Sequence, residues 1–203
     1  GDVRANIGRG VTVDHLLPRR NLPVVVGLLH DLIQIITDGN YGFAFAVRRV
    51  TVSTAGLASR LADLGRDTRA NLAVSLNAAD NDTRSRLMPI NRKYPIEKLL
   101  EACRQFPLSG GRRITFEYVL LKDVNDTPDD AHRLARLLRP VKSKINLIPF
   151  NSHPGCRYQR PPEDTILCFQ EILIDKNYTV MIRRSKGQDI SAACGQLATR
   201  GQI

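Results

Sequence analysis

The chain has 203 residues, of which 42% are hydrophobic, enough for a single domain with a real core. Its formal net charge of +10 favours a polyanionic partner, through phosphate neutralisation and counterion release, over the plainer reading of a merely soluble basic protein. Four cysteines lie scattered without a regular framework and no signal peptide opens the chain, so a reduced, cytoplasmic protein is expected rather than a disulfide-stapled secreted one.

In chain order, the first apolar run, Val24 to Leu29, is far too short to span a bilayer. Beyond it, strand-like runs alternate with amphipathic helical segments, the pattern of an α/β fold with a parallel sheet. The spacing predicts strands at Arg49 to Ser53, Leu72 to Leu76, Ile114 to Leu120, Lys144 to Ile148 and Thr179 to Ile182. It predicts helices at Leu57 to Leu64, Ile96 to Phe106, Pro128 to Leu138 and Pro162 to Lys176. The third helix has Thr127 placed to cap it and Pro128 at its first position, where a missing amide donor costs little. Its Ala131, Leu134, Ala135, Leu137 and Leu138 fall largely on one face.

Parallel strands joined by right-handed crossovers gather their following loops at the carboxyl edge of the sheet, so function is expected there. Ser53 ends the first strand, Ser75 and Asn77 end the next, and Asn151 follows the fourth. Such residues either hydrogen-bond an extended cofactor or simply cap strands and form turns, as Ser and Asn routinely do. Glu117 on the third strand is read as a structural ion pair. Near the carboxyl end stands Gly187-Gln188-Asp189-Ile190-Ser191-Ala192-Ala193-Cys194-Gly195-Gln196-Leu197. Small neighbours give close access to Cys194, and Arg183, Arg184 and Lys186 upstream favour its thiolate. By itself the cysteine is more simply a small buried hydrophobe.

Around these features run further blocks: Arg48-Arg49-Val50-Thr51-Val52-Ser53-Thr54-Ala55-Gly56, Leu72-Ala73-Val74-Ser75-Leu76-Asn77-Ala78, Leu87-Met88-Pro89-Ile90-Asn91-Arg92-Lys93-Tyr94, Phe116-Glu117-Tyr118-Val119-Leu120, Val124-Asn125-Asp126 and Ile145-Asn146-Leu147-Ile148-Pro149-Phe150-Asn151. In order and spacing, from about Asp31 to Leu197, they resemble the radical-SAM adenine-C2 methyltransferases of ribosomal RNA and transfer RNA. The resemblance implies an incomplete radical-SAM (βα) partial barrel with parallel strands. It also implies S-adenosylmethionine contacts at Ser53, Ser75, Leu76, Asn77 and Asn151, and a methyl-carrying role for Cys194. Asn77 departs from the commoner histidine, and an amide can stand in as a neutral donor or acceptor.

In that family a 4Fe-4S cluster held by Cys-x-x-x-Cys-x-x-Cys cleaves S-adenosylmethionine to a carbon radical, supported by a reducing protein such as flavodoxin. One cofactor methylates the cysteine, and the radical from a second abstracts hydrogen from that methyl group. The methylene radical then adds to carbon-2 of adenine, a carbon too weakly nucleophilic for polar methyl transfer. Regiochemistry at carbon-2 rather than carbon-8, and ribosomal RNA alone or with transfer RNA, both stay open. No cluster trio exists among Cys103, Cys156, Cys168 and Cys194, so no metal ligand is assigned and the chain is expected to be inactive alone. Cys103 and Cys168 are expected to pack. Cys156 shares a loop with His153, but two such ligands make a poor metal site.

The family's Gly-Glu-Pro motif is also missing where the chain reads Pro18-Arg19-Arg20-Asn21-Leu22-Pro23-Val24. Residues 1–30 are thus expected to be a non-matching, poorly packed or disordered segment, as a truncated or frameshifted gene would produce, and 31–203 the carboxyl-terminal part of a methyltransferase barrel. The strand near Val50 becomes an exposed edge, open to self-association, unless residues 22–29 cover it. RNA contacts are expected from Arg48, Arg49, Arg92, Lys93, Arg157, Arg160, Arg183, Arg184 and Lys186 around the loops, with Tyr158 either stacking on a base or anchoring its loop. The alternative function is a noncatalytic RNA-binding or degenerate remnant; an unrelated barrel enzyme ranks third, since no phosphate-cradling glycine loop is present. No membrane association is expected.

Overall fold

The structure is a computed structural model that describes residues 31–108, 110–152 and 156–183, together with the backbone of a strand at Val3–Ile7. That strand is β1. Helix α1 covers 31–37. Then follow β2 (Val50–Thr54), α2 (Leu61–Asp67), β3 (Asn71–Ser75), α3 (Asn81–Leu87), α4 (Ile96–Arg104), β4 (Ile114–Leu120), α5 (Pro128–Leu138), β5 (Ser143–Pro149), α6 (Glu163–Asp175) and β6 (Val180–Ile182). One six-stranded sheet runs in sequence order, with β2 to β6 parallel and β1 antiparallel to β2. The expected partial barrel of parallel strands is therefore present.

The strongest local signals set the clearest boundaries. Helix α5 opens on a capping box in which Thr127 Oγ1 accepts from the Asp130 amide and an Asp130 carboxylate oxygen accepts from the Thr127 amide. Such reciprocal capping stabilises a helix start by about 1 kcal/mol. Strand β4 alternates buried and half-buried residues along its whole length, as does β5. Buried Ile114, Phe116, Tyr118, Leu120, Ile145 and Leu147 meet Leu99, Leu134, Leu138, Ile166, Phe169 and Leu173 of the helices in one hydrophobic cluster. Helix α3 went unforeseen because it is short and polar, and it is started by Asp80, whose side chain accepts from the Thr83 amide.

The edge of β2 differs from expectation. Val3–Ile7 occupies it, with Val3 opposite Thr54 and Ile7 opposite Val50. An antiparallel partner needs no crossover helix, so a short segment anywhere along the chain can complete the edge once it folds back. The edge from which self-association was expected is thereby paired. Residues 8–30, including Val24 to Leu28, lie outside the described residues.

Candidate functional site

Strand residues such as Val52, Phe116 and Ile145 enter the hydrophobic cluster with the helices, and alternation turns the residues between them to the opposite face of the sheet. Register sorts these into rows, because paired residues in adjacent strands project to the same side. One row runs Ser53, Ala73, Thr115, Lys144, and the next, nearer the carboxyl edge, runs Ser75, Glu117, Asn146, Met181. Ser53, Ser75, Glu117 and Asn146 are each half-buried, reachable by a ligand laid along this face. Ser75 Oγ lies 3.5 Å from Glu117 Oε2, and Arg183 Nη1 lies 3.9 Å from Glu117 Oε1. The ion pair expected of Glu117 is thus present, though at that length and exposure it contributes at most about 1 kcal/mol.

The loops that follow β2 and β3 are held by a buried guanidinium that sequence patterning did not single out. Arg84 on α3 is 0% exposed. Its Nε donates to the Leu76 carbonyl at 3.0 Å, Nη1 to Asn91 Oδ1 at 2.8 Å, and Nη2 to the carbonyls of Ala55 at 2.9 Å and Ser75 at 3.3 Å. Burial pushes its pKa down to about 10, still far enough above neutrality to keep it charged. A planar fork of donors can bridge separate carbonyls where a lysine ammonium cannot. Gly56 makes the approach feasible: its φ is +113°, and a Cβ there would lie 2.7 Å from Arg84 Nη2. Thr54 Oγ1 anchors the same turn by accepting from the amides of Gly56 and Leu57.

Two asparagines tie β3 to β4 at their carboxyl ends. Asn125 is buried; its Oδ1 accepts from the Leu121 amide, and its Nδ2 donates to the carbonyls of Asn77 and Val119, each contact 2.8 Å. Asn77 sits at φ +59°, a left-handed conformation that asparagine tolerates better than most residues. Its Oδ1 accepts from the Val119 amide at 3.0 Å and its Nδ2 points at Met88 Sδ at 3.3 Å. The Asn77 side chain is therefore engaged largely within the protein. Leu76 is fully buried, its amide donating to the Glu117 carbonyl and its carbonyl accepting from Arg84, so it anchors the turn instead of facing the open edge. Asn151 is half-buried just beyond β5, after Phe150, whose amide donates to the Leu120 carbonyl. Ser53, Ser75, Asn77 and Asn151 thus all belong to the carboxyl half of the sheet or the loops beyond it, while Cys194 lies outside the described residues.

Several expectations are revised. Cys103 packs in the core, where burial pushes its thiol up to about 12, whereas Cys168 is exposed because on α6 it falls between the inward-facing Ile166 and Phe169 turns. Raised in this way, the Cys103 thiol holds far less thiolate in the native protein than an exposed cysteine does. Maleimide labelling followed by peptide mass mapping at mild pH is expected to modify Cys168 readily and Cys103 only after unfolding; rapid native labelling of Cys103 would contradict this packing. Arg48 and Arg49 do not border the carboxyl-edge loops. They form a turn entering β2, and the start of a parallel strand lies at the opposite end from its following loop. Arg160 pairs with Glu163 at 2.9 Å, and Lys93 lies 5.5 Å from the Tyr94 ring centre. Tyr158 serves its loop: Arg157 lies over its ring at 4.7 Å and Phe150 meets it edge-on at 6.3 Å. His153, Arg184 and Lys186 lie outside the described residues.

No family of metal ligands accompanies these polar edges. Among the described residues no group of three or more His, Cys, Asp or Glu side chains could hold a metal ion, and no described helix is long and apolar enough to cross a membrane.

No protein-family model matches the chain. It is 61% identical over 163 residues to the dual-specificity RNA methyltransferase RlmN of Desulfosudis oleivorans, a match covering 80% of this chain and 44% of the relative. With the protein of that name from Geotalea uraniireducens it shares 54% identity over 183 residues, 90% of this chain and 52% of the relative. The chain thus spans about half the length of the curated relatives it matches, in their carboxyl-terminal part. A crystal structure of a radical SAM methyltransferase from Sphaerobacter thermophilus superposes with a TM-score of 0.76 at 45% identity, covering 81% of this chain and 48% of that one. A domain of pyruvate-formate lyase-activating enzyme from Bacteroides vulgatus, 19% identical with a TM-score of 0.59 over 79% of this chain and 92% of that one, shares the fold.

Proposed function

We propose that this chain, similar to the carboxyl-terminal part of radical SAM RNA methyltransferases, is the cofactor-cradling and methyl-carrying portion of an enzyme that methylates carbon-2 of adenine in large-subunit ribosomal RNA, with transfer RNA as its second substrate class. The observation that carries the reading is the half-buried polar edge of Ser53, Ser75 and Asn151, whose turns after β2 and β3 are fixed in place by Arg84, Asn77 and Asn125. Hydroxyl and amide groups of this kind suit the ribose, amino and carboxylate groups of S-adenosylmethionine. Leu76 and Asn77 act mainly by setting the position of the Ser75–Asn77 turn.

The donor set does not fit a 4Fe-4S cluster. Four cysteines at 103, 156, 168 and 194 contain no Cys-x-x-x-Cys-x-x-Cys spacing, Cys103 is buried in the core and Cys168 faces solvent on α6. No radical step is therefore assigned to these residues. The chemistry left to this chain is polar: the Cys194 thiolate attacks the sulfonium methyl carbon, an S–CH₃ bond forms, the sulfonium C–S bond breaks, and S-adenosylhomocysteine departs with the electron pair. Arg157, Arg160 and Arg183, beyond the carboxyl ends of the strands, place positive charge beside the incoming RNA, that of Arg160 and Arg183 being partly offset by Glu163 and Glu117. The cytoplasm and a reducing partner such as flavodoxin belong to the same reading of the intact enzyme.

A calorimetric titration with S-adenosylhomocysteine, set beside anaerobic reconstitution with iron and sulfide, tests this assignment. The expected outcome is measurable nucleoside binding, weakened at least tenfold by Ser75→Ala with Asn151→Ala, and no cluster absorption band. Absence of nucleoside binding by the folded chain would leave the noncatalytic, RNA-binding remnant as the better description.

A further inference from the structure

At the end of the sheet opposite the polar edge, the four successive strands β2 to β5 carry a basic residue at or beside their start. Arg48 precedes β2, Arg69 precedes β3, Arg112 and Arg113 precede β4, and Lys144 is the second residue of β5. Two adjoining cavities, of about 390 and 210 Å³, are lined by these side chains, and they share Asn71, Arg112 and Arg113. Among the described residues no aspartate or glutamate lines either one. Arg66, at the rim of the smaller cavity, is already paired with Asp63 at 2.5 Å and is set aside. Two of the remaining cations, Arg112 and Arg113, are held by side-chain hydrogen bonds, and the main chain at Arg48 is fixed. Arg112 Nη1 donates to the Arg69 carbonyl, Arg113 Nη1 donates to Thr179 Oγ1 at 2.8 Å, and Asn71 Nδ2 fixes the Arg48 carbonyl at 2.8 Å.

We propose that this amino-edge groove is a second RNA-binding surface, one that grips backbone phosphates at a distance from the reacting base. The shape favours an extended polyanion over a single small anion. Neighbouring strands stand about 4.8 Å apart, so cations on four of them spread over roughly 14 Å. A nucleic-acid strand presents a charge about every 3.4 Å of its axis, so that span faces about four phosphates. Like charges crowded this way repel one another in the free protein, and an RNA backbone relieves that repulsion while releasing counterions. The inference rests on the RNA substrate assigned above. It adds a contact that orients a long substrate from the far end of the sheet and reads no base.

The test compares the 203-residue chain with two variants, Arg112→Gln/Arg113→Gln/Lys144→Gln at the amino edge and Arg157→Gln/Arg160→Gln at the carboxyl edge, each checked for native circular dichroism. A short fluorescein-labelled single-stranded RNA is titrated at several salt concentrations, with inorganic pyrophosphate as competitor. Each lost phosphate contact lowers the slope of log K against log salt by about 0.7, so the amino-edge triple variant is expected to lose about 2 units of slope. An unchanged slope in that variant, with a flattened one in the carboxyl-edge variant, overturns the groove while leaving the proposed function standing. Loss of RNA binding to millimolar pyrophosphate at constant ionic strength overturns it too, since the groove then holds a small anion. No RNA binding by the wild-type chain overturns both. Should Gln at 112 or 113 disturb the fold through the lost anchors, Arg48→Gln with Lys144→Gln is the second variant, with an expected loss of about 1.4 units.

Discussion

Arg84→Met is expected to lower the unfolding free energy by about 3 kcal/mol, more than any exposed substitution in the chain. The guanidinium serves the carbonyls of Ala55, Ser75 and Leu76 and the side-chain oxygen of Asn91, and none of these acquires a donor from methionine. Each buried acceptor left alone costs about 1–3 kcal/mol, and recovery of the desolvation cost of the charge offsets part of the sum. Arg84→Lys is expected to restore less than half, because an ammonium on a flexible stem cannot reach three separated carbonyls at once. Urea denaturation provides the measurement, through a lower midpoint at unchanged slope. A midpoint within error of the wild type would mean that the turns after β2 and β3 do not depend on this side chain. Because the Ser75 main chain is itself held by Arg84, S-adenosylhomocysteine affinity is expected to fall together with stability.

Asn125→Ala is the second large effect, about 2–4 kcal/mol. Three hydrogen bonds disappear together, leaving the Leu121 amide and the Asn77 and Val119 carbonyls without their partner in a buried place. Asn125→Asp separates polarity from shape. The carboxylate still accepts from Leu121, but its second oxygen faces two carbonyls, so at neutral pH it is expected to be at least as destabilising as alanine. Repulsion and burial both favour the protonated acid in the folded state, raising its pKa above the unfolded value. Stability of this variant is therefore expected to recover as pH falls through that raised pKa and to be lost again as pH rises. A flat profile for Asn125→Asp, after subtraction of the wild-type pH dependence, would show that the side chain does not face those carbonyls.

The partial legibility of this protein follows from the range over which each feature is specified. Strand β4 and helix α5 are readable at their boundaries because alternation, a threonine cap and an N1 proline act within a few residues. Helix α3 has no apolar stripe to announce it, yet it carries the one fully buried arginine among the described residues, whose partners lie 7 to 29 residues away in sequence. Strand β1 has its partner more than forty residues downstream, and nothing in its own five residues names that partner. For the cysteines, the helix period around Phe169 explains why Cys168 is turned outward, but only burial in the assembled core, which outweighs the opposing charge of Arg84, explains why Cys103 stays protonated.

By itself the amino-acid sequence determined the order of parallel strands and helices, the polar residues at the strand ends and the absence of a cluster-binding cysteine trio, because each is a matter of residue type, periodicity or local spacing. Tertiary structure alone decided that Arg84 and the asparagine pair hold the candidate edge, and that Arg48 joins Arg69, Arg112, Arg113 and Lys144 at the opposite end. Those outcomes depend on which backbone carbonyls are buried without partners and on where strand register sets distant residues side by side, and neither is encoded within the reach of a few neighbouring residues.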